Sequence, residues 1–344
     1  MPKGKNIRNA NRAVEKNKRL FIFASYDKDC IVDDMLIHYV RSLAELGDVI
    51  FFADCDFSDA EIKRISKIKN VIHAAAERHG EYDFGSYKRG YQWAAKRGIF
   101  SNYDWVYLAN DSVYGPLRPL RPILEGLESS GADAVGMISL HGNSAGERKR
   151  VVQRFGFLAE NHVQSWFIGL GRQIFAADWF AKFLGNVKKQ KDKMDVVWAY
   201  EFGMSHLIMS NGFRMEVYEK EISGLSVFGQ GGKLLGRGMP FLKKLGVPYI
   251  SRKELAKHIG EEWTRMIEAH AARAGAKFDN RFANNKRRMK YRKAKDKYGR
   301  LSLCTIFHRC LYRPYIVPFI PLYFTRDLLR MVFKGVIKKR EAKE

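Results

Sequence analysis

Four short clusters in this chain hold side chains that could move a proton, hold a phosphate or wall a sugar. Leu108-Ala109-Asn110-Asp111-Ser112 closes an apolar run. A carboxylate placed where a buried strand emerges can hold a divalent cation or a ribose hydroxyl, and a metal there would neutralise a diphosphate leaving group. Asn, Asp and Ser equally favour turns, so Asn110-Asp111-Ser112 could simply cap the next turn. Glu81 to Gly90 reads EYDFGSYKRG. Asp83 or Ser86 stands where a helix N-cap is expected, and Lys88 and Arg89 add cations to a helix start that suits a diphosphate. A capped helix with a packed aromatic and surface cations explains the same residues. Glu201 begins the apolar stretch EFGMSHLIMSNG. It is the best-placed carboxylate to take a proton from an attacking hydroxyl, although a glutamate opening a helix also complements the helix dipole. His206 is a weaker candidate, being one turn into an apolar helix. In His162-Val163-Gln164-Ser165-Trp166-Phe167, strand alternation puts His162, Gln164 and Trp166 on one face, a sugar-binding wall or an ordinary edge strand.

These clusters need a frame. Leu20–Ala24 is a short apolar run that reads as a buried strand, Ile31 to Leu46 has helical spacing, and Val49–Ala53 reads as a second strand. Strand, helix and strand in that order predict a parallel βαβ unit with a right-handed crossover. The pattern continues with a helix near 58–69, a strand at Val71-Ile72, a helix over Ser86–Lys96, and a strand at Trp105–Ala109. A helix near 118–129 and a strand at Ala134–Ile138 follow. Beyond 150 the pattern is mixed: a strand over Val163–Gly169, helices over Ala177–Leu184 and Glu201–Asn211, a strand near Arg214–Tyr218 and a glycine-rich loop over 224–238. Ligands of such sheets sit outside the carboxyl ends of the strands.

Composition bounds the class. The 344 residues are 46% hydrophobic and 13% aromatic, enough for a packed core and against general disorder. The net charge of +24 is concentrated at the ends, with +6 over residues 1–20 and +14 over 261–344. The body between is nearly neutral. Cys30, Cys55, Cys304 and Cys310 form no metal-ligand spacing and read as free thiols. The N-terminus lacks the apolar core of a signal peptide, and no stretch approaches the roughly 18–20 apolar residues of a spanning helix, so a cytoplasmic location is expected.

The order of the clusters along the chain resembles the rhamnan synthesis protein F family. Its pattern appears here as Tyr82-Asp83-Phe84-Gly85-Ser86, Asn110-Asp111-Ser112 with Gly115-Pro116, His162-Val163-Gln164-Ser165 and Glu201. Gly246-Val247-Pro248-Tyr249-Ile250 with Arg252 resembles its closing segment. The resemblance covers about residues 20–255. It departs at Ala76-Glu77-Arg78-His79-Gly80, where Arg-x-Asn-x-Gly is expected, and at Tyr87, where the family has tryptophan. It implies an α/β, GT-A-like domain with a mostly parallel sheet, transferring a sugar, rhamnose or another deoxy-sugar, from a nucleotide-sugar donor to a lipid-linked cell-surface polysaccharide or O-antigen. It also implies roles: Asp83, Ser86, Lys88, Asn110, Ser112 and Asp27 at the donor, Asp111 at the diphosphate with Mg²⁺ or Mn²⁺, Glu201 as base, and His162, Gln164 and Ser165 at the acceptor.

Three segments are expected: a basic arm over 1–19, the transferase domain over 20–255 and a basic extension over 256–344. Within the last, Arg326–Arg340 has cations Arg326, Arg330, Lys334 and Lys338 every four residues beside Leu328, Leu329, Val332, Phe333 and Val336. That is an amphipathic helix suited to an anionic membrane surface. The expected partners are therefore the donor, the lipid-linked acceptor, the inner face of the membrane and other synthesis enzymes. Rival readings are a non-catalytic scaffold, or a nucleic-acid binder built on the basic run at Lys286–Lys293. That run has no nucleic-acid-binding signature beside it, so nucleic acid is not expected.

Overall fold

Alternation along the first strands sends side chains to two different cores. On β1 (Arg19–Ser25), Phe21 and Phe23 face one way, and Leu20, Ile22 and Ala24 the other. The computed structural model describes residues 17–140, 145–157, 162–219 and 248–251, all within the first of two units, Met1–Arg288. After β1 come α1 (Asp34–Ala44), β2 (Asp48–Ala53), α2 (Asp59–Ser66) and β3 (Val71–Ala76). Asp33 caps α1 by accepting the Leu36 N–H at 2.8 Å, and Ser58 caps α2. The chain continues through α3 (Tyr82–Lys96), β4 (Trp105–Asn110), β5 (Val113–Tyr114), α4 (Arg121–Glu128), β6 (Ala134–Leu140) and α5 (Ala145–Phe155). Then follow β7 (His162–Val163), β8 (Phe167–Gly171), α6 (Arg172–Phe175), α7 (Asp178–Gly185) and α8 (Lys193–Val196). A π-helical turn over Val197–Phe202 joins α8 to α9 (Gly203–Ser210), ahead of β9 (Met215–Glu219) and β10 (Ile250–Ser251).

The main sheet runs β3-β2-β1-β4-β8-β6, with β7 and β9 also paired to β6. Strands β3, β2, β1 and β4 are mutually parallel, β8 is inserted antiparallel between β4 and β6, and β9 is parallel to β6. This is the expected α/β fold with helices on both faces. Helices α1, α2 and α4 cover the face of Phe21, Phe23, Phe51 and Tyr107, while α3, α7 and α9 cover that of Leu20, Ile22, Val106 and Leu108. Each fully buried side chain of that size stabilises the fold by about 1.5–3 kcal/mol. Glycines set the closest approaches. A Cβ at Gly90 on α3 would lie 2.4 Å from Ile22 Cγ2, so this helix rests on β1 only because the side chain is missing.

Three local expectations are corrected. Helix α3 begins at Tyr82, four residues before Ser86, and neither Asp83 nor Ser86 caps it. Asp54, at the end of β2, gathers the preceding loop instead: its carboxylate accepts the N–H groups of His79, Gly80 and Tyr82 at 2.8, 2.8 and 3.2 Å. The single strand expected over Val163–Gly169 is broken. Leu140 pairs with His162 and Gly136 with Ile168, so the chain between holds two residues more than β6 can match. The bulge cancels the alternation expected of His162, Gln164 and Trp166. Glu201 opens no helix, because it lies inside the π turn, well past the Asp192 cap of α8.

The segments 224–238, 286–293 and 326–340 lie outside the described residues, as does the N-terminal arm up to residue 16. Among the described residues, no helix is long and apolar enough to cross a membrane.

Candidate active site

Strands β1, β2, β4 and β6 all end at one edge of the sheet, and the sequence clusters meet there. The end of β4 divides them. Asn110 and Asp111, being consecutive, project to opposite sides.

On the α3 side, Asn110 Nδ2 donates to Asp83 Oδ2 at 2.8 Å. Asn110 Oδ1 accepts the Ser112 N–H at 2.9 Å, which fixes the orientation of the amide. Tyr87, fully buried one turn beyond Asp83, donates its hydroxyl to the Ser165 carbonyl at 2.9 Å. Ser165 in turn holds Glu201: its Oγ and its backbone N–H donate to Glu201 Oε2 at 2.6 and 3.1 Å. The His162 ring, packed at a tilt against Phe202, places Nε2 3.1 Å from Glu201 Oε1. Asp83, Asn110, Tyr87, Ser165, His162 and Glu201 thus form one polar cluster, although they are spread over almost 120 residues of sequence.

The two carboxyl groups of this cluster differ in acidity. Burial pushes Asp83 up to about 6; the Lys193 ammonium opposes that rise and the Glu201 carboxylate adds to it. Burial would raise Glu201 as well, yet the bond and charge of His162 and the two Ser165 donors hold it below the usual carboxylate range. One environment favours a proton, the other excludes it.

On the opposite side, Asp111 Oδ2 accepts the Ser25 hydroxyl at 2.9 Å and the Tyr26 N–H at 3.2 Å. Asp27 accepts the N–H groups of Asp29 and Ile31 and so shapes the loop that follows β1. Asp27 and Asp111 line one small cleft together with Tyr39 and Tyr114. Tyr249, fully buried, is in ring contact with Tyr39 of that cleft and with Trp166, next to the pairing of β10 with β5.

Other nominated residues are committed elsewhere. Ser86 is fully buried and hydrogen bonded to His79 Nε2 at 3.1 Å. Because His79 Nδ1 accepts the Glu81 N–H, the His79 ring donates to Ser86 through Nε2. Lys88 Nζ donates to the Val187 carbonyl at 2.7 Å, and Arg89 pairs with Glu81. Gln164 accepts from the Trp166 indole at 2.8 Å. His206 stacks on Phe157. Asp54 and Lys193 were missed from sequence. A carboxylate ending β2, as Asp111 follows β4, was the available signal for Asp54, and nothing local marked Lys193.

Among the described residues, a cation at Asp111 would share its cleft with the carboxylates of Asp27 and Asp33. Mg²⁺ takes about six oxygen ligands, whereas Asp111 is a single carboxylate with one oxygen already accepting two hydrogen bonds. Among the described residues, no group of three or more His, Cys, Asp or Glu side chains could hold a metal ion. Among the described residues, the donors around Asp111 would need further oxygens from a bound ligand to complete an ion's shell.

A family model described as rhamnan synthesis protein F matches residues 49–272, well over half of the chain. No curated protein matches. Among solved structures, a mannosyltransferase of S. cerevisiae is similar at TM-score 0.35 and 10% identity, over 58% of this chain and 66% of that one. A core-mannan synthase of Aspergillus fumigatus, in a Mn/GDP form, is similar at TM-score 0.30 and 12% identity, over 56% and 68% of the two chains. The family match, not these likenesses, carries the assignment.

Proposed function

The chain belongs to the rhamnan synthesis protein F family, a family of glycosyltransferases, and from that premise we propose that it transfers a sugar from a nucleotide-sugar donor to a lipid-linked cell-surface polysaccharide. The supporting observation is the convergence of the family's separate sequence blocks on one polar cluster at the carboxyl edge of the sheet. Such an edge is where nucleotides bind in open α/β sheets.

In this reading the nucleotide enters the cleft of Asp27 and Asp111, and the reacting sugar lies across the end of β4 towards the carboxylate pair. The acceptor hydroxyl approaches from the side of His162, Gln164 and Ser165. A carboxylate of the pair takes its proton as the new bond forms; Glu201 is the one that the sequence nominates. Rhamnose or another deoxy-sugar is the proposed cargo, and the basic extension holds the enzyme on the inner face of the membrane, near its lipid-linked acceptor.

The test is a thermal-unfolding titration with UDP-, GDP- and dTDP-sugars, with and without Mg²⁺ or Mn²⁺. A ligand that binds the native state adds about 2.7 kcal/mol of stability at a hundred times its dissociation constant. One nucleotide class should raise the midpoint, and Asp111→Asn should reduce the shift. Dependence on the ion reads out metal use. No shift with any donor, together with salt-sensitive binding to nucleic acid, would sink the proposal.

A further inference from the structure

The carboxylate that the sequence nominates as base is the one the structure equips least well for that task. Glu201 accepts three hydrogen bonds, from His162 Nε2 on one oxygen and from the Ser165 hydroxyl and N–H on the other. Protonating it would disrupt those bonds and leave buried donors facing a neutral acid. Asp83 is held more lightly. Among the described residues, Asn110 Nδ2 donates to Oδ2 at 2.8 Å, and the remaining donors to its carboxylate are local backbone N–H groups, that of Phe84 at 3.2 Å and its own.

We infer that Asp83 takes the proton of the acceptor hydroxyl, while Glu201 stays ionised as the fixed charge that orients His162 and Ser165. The inference rests on the transferase reading above. Among the described residues, the charged and titratable groups facing Asp83 are Lys193 on α8, Glu201 in the π turn and Tyr87 on α3. Burial and the Glu201 charge raise its proton affinity against the pull of Lys193, and its value of about 6 suits a base working near neutral pH. A bound diphosphate would raise that affinity further, since like charges disfavour ionisation. In the step itself, the acceptor oxygen bonds to the anomeric carbon and its proton passes to Asp83 Oδ1. The bond from that carbon to the diphosphate breaks, and the electron pair leaves with the nucleoside diphosphate. Asp83, partly exposed, then returns the proton to water.

The experiment measures nucleoside diphosphate release by the full chain from dTDP-rhamnose, UDP-glucose and GDP-mannose between pH 5 and 9, with donor binding followed by calorimetry. Asp83→Asn should bind donor within about threefold of wild type, lose roughly 10²–10⁴-fold in turnover, and lose the acidic limb of the pH profile. Ser165→Ala, which removes one donor from Glu201, should leave that limb in place; as base, Glu201 would carry it upward. Turnover by Asp83→Asn within tenfold of wild type, or a limb that moves in Ser165→Ala, overturns the inference while leaving the transferase reading intact. If none of the three donors binds wild type, the transferase reading fails, and this inference fails with it.

Discussion

Asp83 and Glu201 are both carboxyl groups, yet the side chains around them separate their behaviour. Glu201 is answered by His162 and Ser165, whereas Asp83 is answered by a neutral amide and an exposed lysine. That difference has a consequence for stability. With its pKa raised to about 6, against about 3.9 in an unfolded chain, native Asp83 holds a proton between about pH 4 and 6 that the unfolded chain has released. Stability from this group therefore falls as pH rises through that window. Asp83→Asn removes the penalty, so this variant should be more stable than wild type by roughly 1–2 kcal/mol above pH 6, after discounting for solvent screening. Near pH 4 the two should unfold alike. Urea denaturation at both pH values checks this. Glu201→Ala should do the opposite at neutral pH, costing about 2–4 kcal/mol, because it leaves the Ser165 and His162 donors without their acceptor. Equal midpoints for this variant and wild type would show that the cluster does not form in solution.

At the level of elements, the sequence exposed helices and strands whose apolar period is regular and concealed those that depart from it. The βαβ units up to β4 follow plain periods of 3.6 and 2, so both their order and their parallel pairing were readable. The bulge between β7 and β8 and the π turn over Val197–Phe202 each add residues that break the period. They are also the two devices that bring Ser165 and Glu201 together, so the site's chemistry was legible as residue types and its geometry was not. Asp54 was hidden for a related reason: it acts on a loop some 25 residues away, through backbone groups that carry no sequence signal. Close approach gives a test at this scale. Gly90→Ala places a methyl 2.4 Å from Ile22 Cγ2 and should cost about 1–3 kcal/mol by pushing α3 off the sheet. Gly126→Ala on α4, with nothing within 4 Å, should be neutral or stabilise by about 0.5–1 kcal/mol. Thermal midpoints of the pair decide it, and similar losses in both would contradict the packing described for α3.

Across the described residues, a large core on each face of the sheet holds the carboxyl edge in place, and the family's blocks are spaced so that this fold gathers them. The insertion of β8 between β4 and β6 was not readable, since strand order beyond a βαβ unit depends on contacts remote in sequence. Charge misled in one respect. Arg19 counts among the N-terminal cations, but its guanidinium is buried and paired with Glu128 at 2.6 Å, and Glu128 also accepts from the Tyr107 hydroxyl. Glu128→Gln would strand that charge beneath β4 and should cost about 3–5 kcal/mol in urea unfolding; a loss below 1 kcal/mol would mean that water reaches the pair.

The central claim is that this chain moves a sugar, and the most direct measurement is incorporation of label. Purified full-length protein would be incubated with a lipid extract of the cells that make it and with dTDP-, UDP- or GDP-sugars labelled in the sugar. The account predicts label in the lipid fraction from one nucleotide class, abolished in Asp83→Asn although that variant still binds the donor. Label in no fraction from any donor, with wild-type protein shown to be folded and no donor bound, would contradict it.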